Sequence, residues 1–288
     1  MKVYISNYLS QSISILGYPN FELERNINLG EDIYPHNFCI DKIRNLAYIP
    51  SSLSGEVYVL NLSTGKIVDD ISIGGNLTNI ALWNDEIFIA NQDSNSIYVL
   101  DASTLNPVGV IGIDNMPHGF DIDTKNNRLY VACVNSIICI DIVNKCICNK
   151  IDTDFKAWHI KLDKERGEIY TSTLDGKVVV LKDETLEVIK IIDGFLIPIQ
   201  ICFNYEDKKI YVADMGHKAV IVLDYVTYEV LDFIDIDGDP QGLQLTKNYK
   251  SLFVSDTKNN LIKIYNTLDN SLIKNINVGK EPTTILCV

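Results

Sequence analysis

The sequence predicts an all-β fold, a seven-bladed β-propeller of four-stranded antiparallel blades, and three observations lead to this prediction. Strands rich in Val, Ile, Tyr and Phe alternate with turns rich in Asn, Asp, Gly and Lys. No segment of ten or more residues keeps a helical apolar period. A short apolar strand opens at intervals of 42, 40, 40, 41, 42 and 42 residues, and four strands in about 40 residues are typical of one propeller blade. These opening strands are PHNFCID at 35, LTNIALW at 77, PHGFDID at 117, AWHIKLD at 157, PIQICFN at 198, PQGLQLT at 240 and PTTILCV at 282.

The other three strands of each repeat follow the opening strand in a constant order. The second strands are NLAYIPS, DEIFIAN, NRLYVAC, GEIYTST, KKIYVAD and KSLFVSD, and the third are GEVYVLN, NSIYVLD, NSIICID, GKVVVLK, KAVIVLD and NLIKIYN. A turn such as LSTGK or NTLDN then leads to a fourth strand, for example KIVDDISIG. Near-continuous apolar strands such as KVVVLK indicate burial on both faces, which suits a blade packed between two neighbours.

The two ends of the chain each hold part of a repeat. The N-terminus begins with a second strand, KVYISNY, and continues with QSISILG and FELERNINLG, whereas PTTILCV at the C-terminus is a first strand. Pairing of the two ends would complete one blade and close a ring of seven without an open sheet edge. We therefore predict a single domain over residues 1–288. Its blades are blade 1 (282–288 plus 1–32), blade 2 (33–75), blade 3 (76–115), blade 4 (116–155), blade 5 (156–197), blade 6 (198–239) and blade 7 (240–281).

Composition narrows the class of protein. Hydrophobic residues make up 47% of the 288 residues, which is enough for a large core, and the net charge of −13 disfavours nucleic-acid binding because an acidic surface repels phosphate. The N-terminus lacks the unbroken apolar core of a signal peptide, and no stretch approaches the length of a membrane helix. Seven cysteines, an odd number, favour reduced thiols. We expect a soluble, cytoplasmic protein with no membrane or nucleic-acid partner.

The ends of the second strands carry a recurring motif. YISN at 4–7, FIAN at 88–91, YVAD at 211–214 and FVSD at 253–256 resemble the Tyr-Val-Thr-Asn motif of the YVTN family of seven-bladed β-propellers. The third-strand pattern V-x-V-[LI]-D and the segment VGKEP extend the resemblance over the whole chain, whereas YIPS, YVAC and YTST depart from it. The resemblance implies a propeller scaffold without a catalytic set of its own. It also implies a structural role for the terminal Asn or Asp, whose side chain can bond the backbone of the following turn.

The candidate binding site is the ring of residues at the start of the seven first strands. In propellers these crossings between blades surround one mouth of the central channel, so their side chains converge from several directions. Three of the four histidines lie here, and imidazole can bind a metal or act as a base near neutral pH. The predicted ligand-binding residues are His36, Asn37, Thr78, Asn79, His118, Trp158, His159, Gln200, Gln241 and Thr283.

A structural interpretation of the same ring stays open, because each histidine could satisfy a loop carbonyl. His36 and His118 occupy one position of the repeat and His159 the next. This offset argues against three histidines that share one ion, and we predict no metal site. The sequence indicates no particular cofactor.

A cysteine cluster also has two interpretations. Cys133, Cys139, Cys146 and Cys148 fall in one blade, and a turn at IVNK would place Cys139 opposite Cys148. Such thiols could bind a soft metal or form a redox pair. Because the Cys-x-x-Cys spacing of zinc sites is missing, buried small side chains are the favoured interpretation.

Acidic residues are predicted mainly at turns. The segment DFIDIDGD fails the calcium-loop pattern because its glycine comes two positions too early. Asp41, Asp123 and Asp163 are predicted to be turn residues of the first hairpins, where an aspartate side chain can bond the backbone of the turn.

Two functions fit this fold. The first is a non-catalytic propeller that binds a small polar ligand or a protein partner at the channel mouth, and it is favoured because no phosphate loop, nucleophile elbow or zinc-protease helix is found. The second is a lactonase- or lyase-like hydrolase, of the kind built on propellers similar to the YVTN family. It would use a channel histidine or metal as base or Lewis acid. The sequence leaves open whether the protein is an enzyme.

Overall fold

The computed structural model describes residues 1–288, which form 28 strands in seven four-stranded antiparallel sheets. These sheets are the blades of a seven-bladed β-propeller, which confirms the predicted fold class. The strands are β1 (Lys2–Asn7), β2 (Ser12–Gly17), β3 (Glu22–Asn28), β4 (Cys39–Asp41), β5 (Leu46–Pro50), β6 (Glu56–Asn61), β7 (Lys66–Ser72), β8 (Leu77–Trp83), β9 (Glu86–Asn91), β10 (Ser96–Asp101), β11 (Pro107–Gly112), β12 (Phe120–Asp123), β13 (Arg128–Cys133), β14 (Ser136–Asp141), β15 (Cys146–Asp152), β16 (Ala157–Asp163), β17 (Glu168–Thr173), β18 (Val178–Lys182), β19 (Val188–Ile192), β20 (Pro198–Asn204), β21 (Lys209–Asp214), β22 (Ala219–Asp224), β23 (Val230–Asp235), β24 (Pro240–Leu245), β25 (Ser251–Asp256), β26 (Leu261–Asn266), β27 (Leu272–Asn277) and β28 (Pro282–Cys287).

The chain divides into two compact units. Unit 1, residues 1–36 and 194–288, contains the sheets β28-β1-β2-β3, β20 to β23 and β24 to β27. Unit 2, residues 37–193, contains the sheets β4 to β7, β8 to β11, β12 to β15 and β16 to β19. None of the structure's segments forms a helix that could cross a lipid bilayer.

The two ends of the chain share one sheet, as the sequence predicts. Tyr4 pairs with Leu286 and Ile5 with Ile285 in the antiparallel ladder between β1 and β28. Lys2 and Val288 extend this ladder, because each donates its backbone N–H to the carbonyl of the other, at 3.0 and 2.9 Å. The first blade is therefore built from both termini.

Burial differs between the strands of a blade. The second strand β21 is buried from Ile210 to Asp214, and the third strand β22 is buried from Ala219 to Leu223. The fourth strand β23 is largely exposed. The core therefore lies along the middle strands, where both faces of a blade are covered.

Two of the predicted first strands begin later than their sequence pattern suggests. β4 starts at Cys39 and β12 at Phe120, rather than at Pro35 and Pro117. Proline has no N–H to donate to a ladder, so the segment after it need not pair regularly. In the neighbouring strand β16, the same segment pairs but shifts register between Ala157 and His159. These irregular starts of the first strands hold the candidate site.

Aspartate and asparagine side chains close the turns. The Oδ1 atoms of Asp41, Asp123 and Asp163 each accept two backbone N–H groups from the turn that follows, which confirms their predicted position. Asn91 and Asp214, at the end of the recurring second-strand motif, do the same. The structural role implied by that motif therefore agrees with the hydrogen bonds.

Candidate functional site

The most distinctive part of the predicted site is a group of three aromatic rings in unit 2, formed by His118, Trp158 and His159. The His118 and Trp158 rings are stacked, with centroids 3.7 Å apart and an angle of 20° between their planes. The His159 ring meets His118 edge-on at 4.7 Å. All three side chains are half-buried. We call this group the aromatic cluster.

Gly119 allows the two first strands that carry these rings to approach closely. Its N–H donates to the Trp158 carbonyl at 2.9 Å, which joins two neighbouring blades through their backbones. A Cβ at this position would lie 2.8 Å from the His159 Cα and 2.9 Å from the Trp158 carbonyl oxygen. A side chain here would therefore force the strands apart.

Threonine and asparagine side chains in the same ring connect first strands to one another. The Thr78 hydroxyl lies 3.2 Å from the carbonyl oxygens of Pro117 and His118, to which it can donate. Asn37 donates its amide N–H to Asn79 Oδ1, and the Asn79 amide in turn donates to the Phe120 carbonyl at 3.3 Å. These bonds hold the backbone that presents the aromatic cluster.

A charged pair lies further along the strands that carry the cluster. Lys161 Nζ is 3.0 Å from Asp121 Oδ2, and this oxygen also accepts the Leu162 N–H at 3.1 Å. Because side chains alternate along a strand, Lys161 projects from the same face of β16 as His159. This pair was not predicted from the sequence. The signal was available, since both residues lie four positions after the proline or its substitute in their repeats.

The remaining predicted residues belong to unit 1, where most make hydrogen bonds within the scaffold. The His36 carbonyl accepts the hydroxyls of Thr283 and Thr284, at 2.8 and 3.0 Å, and the Gln200 side-chain oxygen accepts the Leu243 N–H at 2.9 Å. Gln241 is half-buried at the start of β24.

The His36 ring packs edge-on against Tyr8, with centroids 6.1 Å apart. Desolvation by burial lowers the pKa of His36, so its imidazole is neutral at pH 7. The hydrogen bonds at the His36 carbonyl involve only its backbone. Ligand binding by the His36 imidazole therefore stays a prediction.

The fourth histidine, His217, forms a pair that the sequence analysis did not single out. Its Nδ1 lies 2.8 Å from Oδ2 of the fully buried Asp214. Burial raises the pKa of Asp214, but the hydrogen bonds from His217 and from the backbone N–H groups of Ile197 and Leu196 outweigh it, so the net effect is a lowered pKa. The sequence did contain a signal for this pair, because His217 lies three residues after Asp214, the last residue of the second-strand motif.

Possible metal ligands do not gather in this structure. No three side chains of the His, Cys, Asp and Glu classes come together over residues 1–288 in an arrangement that could hold a metal ion. Within unit 2, the predicted residues that meet form two groups. One is the aromatic cluster with the Thr78 hydroxyl beside the His118 carbonyl, and the other is Asn37 with Asn79.

Similarity of this chain to known sequences is low. No family model matches the chain. A curated relative, Antigen Lp49 of Leptospira interrogans, is 22% identical over 250 residues, which are 77% of this chain, and the chain spans about half (54%) of that protein's length.

Two solved structures are similar over almost the whole chain. One is a protein from Lactobacillus plantarum, with a TM-score of 0.85 and 13% identity, covering 99% of this chain and 98% of that one. The other is named as a "putative 6-phosphogluconolactonase" from Bacteroides fragilis, with a TM-score of 0.81 and 16% identity, covering 99% and 97%. At this identity the similarity shows the fold alone.

Proposed function

We propose that this protein is a non-catalytic binding propeller whose aromatic cluster takes a small polar ligand. The observation that carries the proposal is the stacking of His118 on Trp158 with His159 edge-on, at a half-exposed position. Ring surface beside imidazole and indole nitrogens can contact an apolar face of a ligand and hydrogen-bond its polar groups. A carbohydrate or another small molecule with hydroxyl groups around a ring has this combination.

Rigid support of the cluster favours binding. The Gly119 N–H bond to the Trp158 carbonyl and the Thr78 hydroxyl beside the His118 carbonyl hold the backbone of both strands. A ligand therefore meets rings that are already arranged, and less conformational entropy is lost on binding than with mobile side chains.

Tryptophan fluorescence tests the proposal directly, because the chain has only two Trp residues. Trp83 is the last residue of β8, and the substitution Trp83→Phe leaves Trp158 as the single source of tryptophan fluorescence. We expect a saturable change in its emission with at least one member of a panel of sugars, sugar acids and nucleosides. His118→Ala in the same background should abolish the change, whereas Lys66→Ala, on the exposed fourth strand β7, should keep it. A ligand signal that survives both His118→Ala and His159→Ala contradicts the proposal.

A second candidate function is hydrolysis of a lactone or similar ester. His159 shares a strand face with Lys161, whose ammonium group pairs with Asp121, so a base and two charged groups lie along neighbouring strands. The Bacteroides fragilis protein of similar fold is named as a lactonase, which motivates the choice of substrate class. Lactone hydrolysis that disappears in His159→Ala would favour this function, and hydrolysis that persists with His36, His118 and His159 all replaced by Ala would discard it.

We also propose membership in the YVTN family, supported by FIAN at 88–91 and YVAD at 211–214. A cytoplasmic location is part of the same proposal. The seven free cysteines support it, since an oxidising compartment would favour their pairing.

A further inference from the structure

Two cysteines of the fourth blade lie in direct contact, across the ladder between β14 and β15. The sulfur atoms of Cys139 and Cys148 are 3.0 Å apart, and the Cys148 sulfur is also 3.3 Å from the Cys139 carbonyl oxygen. Cys139 pairs with Asn149, and the next pair joins Ile140 to Ile147. Cys148 is therefore the extra residue of a β-bulge, not the direct partner that the sequence analysis expected. The bulge brings its sulfur onto Cys139.

The same bulge recurs between the third and fourth strands of all seven blades, so the chain contains its own comparison. At the third-strand position the other six blades have only Val or Ile, and at the bulged position five of them have Val, Ile or Leu and one has Glu. These pairs are Ile15 with Glu24, Val59 with Val68, Val99 with Val108, Val180 with Ile189, Val222 with Leu231, and Ile264 with Ile273.

Aliphatic side chains therefore satisfy the packing at this position, and sulfur is not needed for it. Only the fourth blade has cysteine at both positions of the pair. Packing in the repeat therefore does not explain why this blade has two thiols at these positions.

The two thiols differ in access. Cys148 is exposed on the outer strand, whereas Cys139 is 1% exposed. Burial raises the pKa of Cys139, and the neighbouring Cys148 raises it further, so Cys139 is poorly suited to react first. A reagent from solution therefore meets Cys148 first, with Cys139 directly behind it.

We propose that Cys139 and Cys148 form a redox-active dithiol that closes to an intramolecular disulfide by exchange with a small disulfide such as oxidised glutathione. The Cys148 thiolate attacks one sulfur of glutathione disulfide, whose S–S bond breaks and releases one glutathione thiolate. The Cys139 sulfur then attacks the Cys148 sulfur, loses its proton to solvent and releases the second glutathione. Two protein thiols are oxidised and one small disulfide is reduced to two thiols, so the electrons balance. The site is independent of the aromatic cluster.

Thiol counting and peptide mapping test this pair in the full-length protein. After incubation with oxidised glutathione, we expect the thiols titrated in denaturant to fall from seven to five and the intact mass to fall by two hydrogen atoms. Trypsin cuts after Arg128, Lys145 and Lys150, so a Cys139–Cys148 bond joins peptide 129–145 to peptide 146–150.

Matched variants assign the bond, because Cys133 lies in the first of these peptides and Cys146 in the second. The linked pair should persist in Cys133→Ala and in Cys146→Ser, and it should vanish in Cys139→Val and in Cys148→Val. Valine fills both positions in the second and third blades, as Val59 with Val68 and Val99 with Val108, so these two variants retain the packing of the repeat.

A melting curve adds a second measurement. The disulfide should raise the melting temperature of the oxidised wild type by a few degrees, with no such rise in Cys148→Val. Seven remaining thiols, a bond confined to peptide 146–150, or a reaction that stops with glutathione attached to Cys148 would each overturn the proposal.

Discussion

Aspartate and asparagine side chains at strand ends are the residues that fix the turns of this chain. Asp214 makes the largest set of such bonds, because its two oxygens accept the N–H groups of Leu196, Ile197, Gly216 and His217. It therefore connects the loop before β20 to the turn after β21. The sequence motif YVAD predicted the bonds to the turn after β21. It could not predict the bonds to the loop before β20, because that loop lies earlier in the chain and outside the motif.

Replacement of Asp214 should show this role through the pH dependence of stability. Its folded-state pKa is lowered, so the carboxylate stabilises the fold above its unfolded pKa of about 4, and this contribution is lost as the pH falls through the lower folded value. We expect Asp214→Asn to cost about 1–3 kcal/mol in the free energy of unfolding at pH 7, and less at pH 3. Urea unfolding at both pH values measures this. The exposed Asp154→Asn is the control, with a change within about 0.5 kcal/mol. An equal loss at both pH values would show that the carboxylate charge is not involved.

At the level of strands, the sequence did not predict how closely the segments that carry His118 and His159 approach each other. The offset of His159 from His36 and His118 in the repeat argued against one ion shared by all three, and it gave no sign that the His118 and His159 rings lie 4.7 Å apart. A register shift between Ala157 and His159 and the absence of a side chain at Gly119 bring the two strands together. Strand identity follows from local patterns of apolar residues, whereas a bulge at the start of a strand depends on what lies beside it. The sequence thus placed His118, Trp158 and His159 at the start of adjacent first strands, but it did not show which of their rings meet.

Gly119→Ala tests the approach of these strands. Because its Cβ would meet backbone atoms of β16 at less than 3.0 Å, the strands must shift, and we expect a loss of about 1–3 kcal/mol in unfolding free energy. The near-ultraviolet circular dichroism of Trp158 should also change as its stacking on His118 is disturbed. Gly112→Ala is the matched control, since a Cβ there meets nothing within 4 Å. Equal effects of the two substitutions would indicate a backbone-entropy effect rather than a clash at Gly119.

Repetition across the whole molecule explains why the fold was predictable and the function was not. Seven copies of one four-strand pattern determine the blade, and the split copy at the termini predicted the pairing of β1 with β28. Function depends on the places where the copies differ, such as the two cysteines of the fourth blade. A difference between repeats marks such a position, but its chemistry follows only from the neighbours that the fold supplies.

The shared first blade predicts that hydrogen-bonded pairing of β28 stabilises unit 1, whichever end of the chain carries that strand. Removal of residues 282–288 exposes the edge of β1 and uncovers the side chains of Val3 and Ile5, which are fully buried. We expect the truncated chain to melt at a sharply lower temperature. A circular permutant that begins at Pro282, joins Val288 to Met1 through a Gly-Asn-Gly turn and ends at Glu281 keeps every strand pair. It should melt within a few degrees of the wild type, because Lys2 and Val288 already exchange two hydrogen bonds. A permutant as unstable as the truncated chain would show that the covalent connection between β27 and β28, rather than the pairing of β28 with β1, provides the stability.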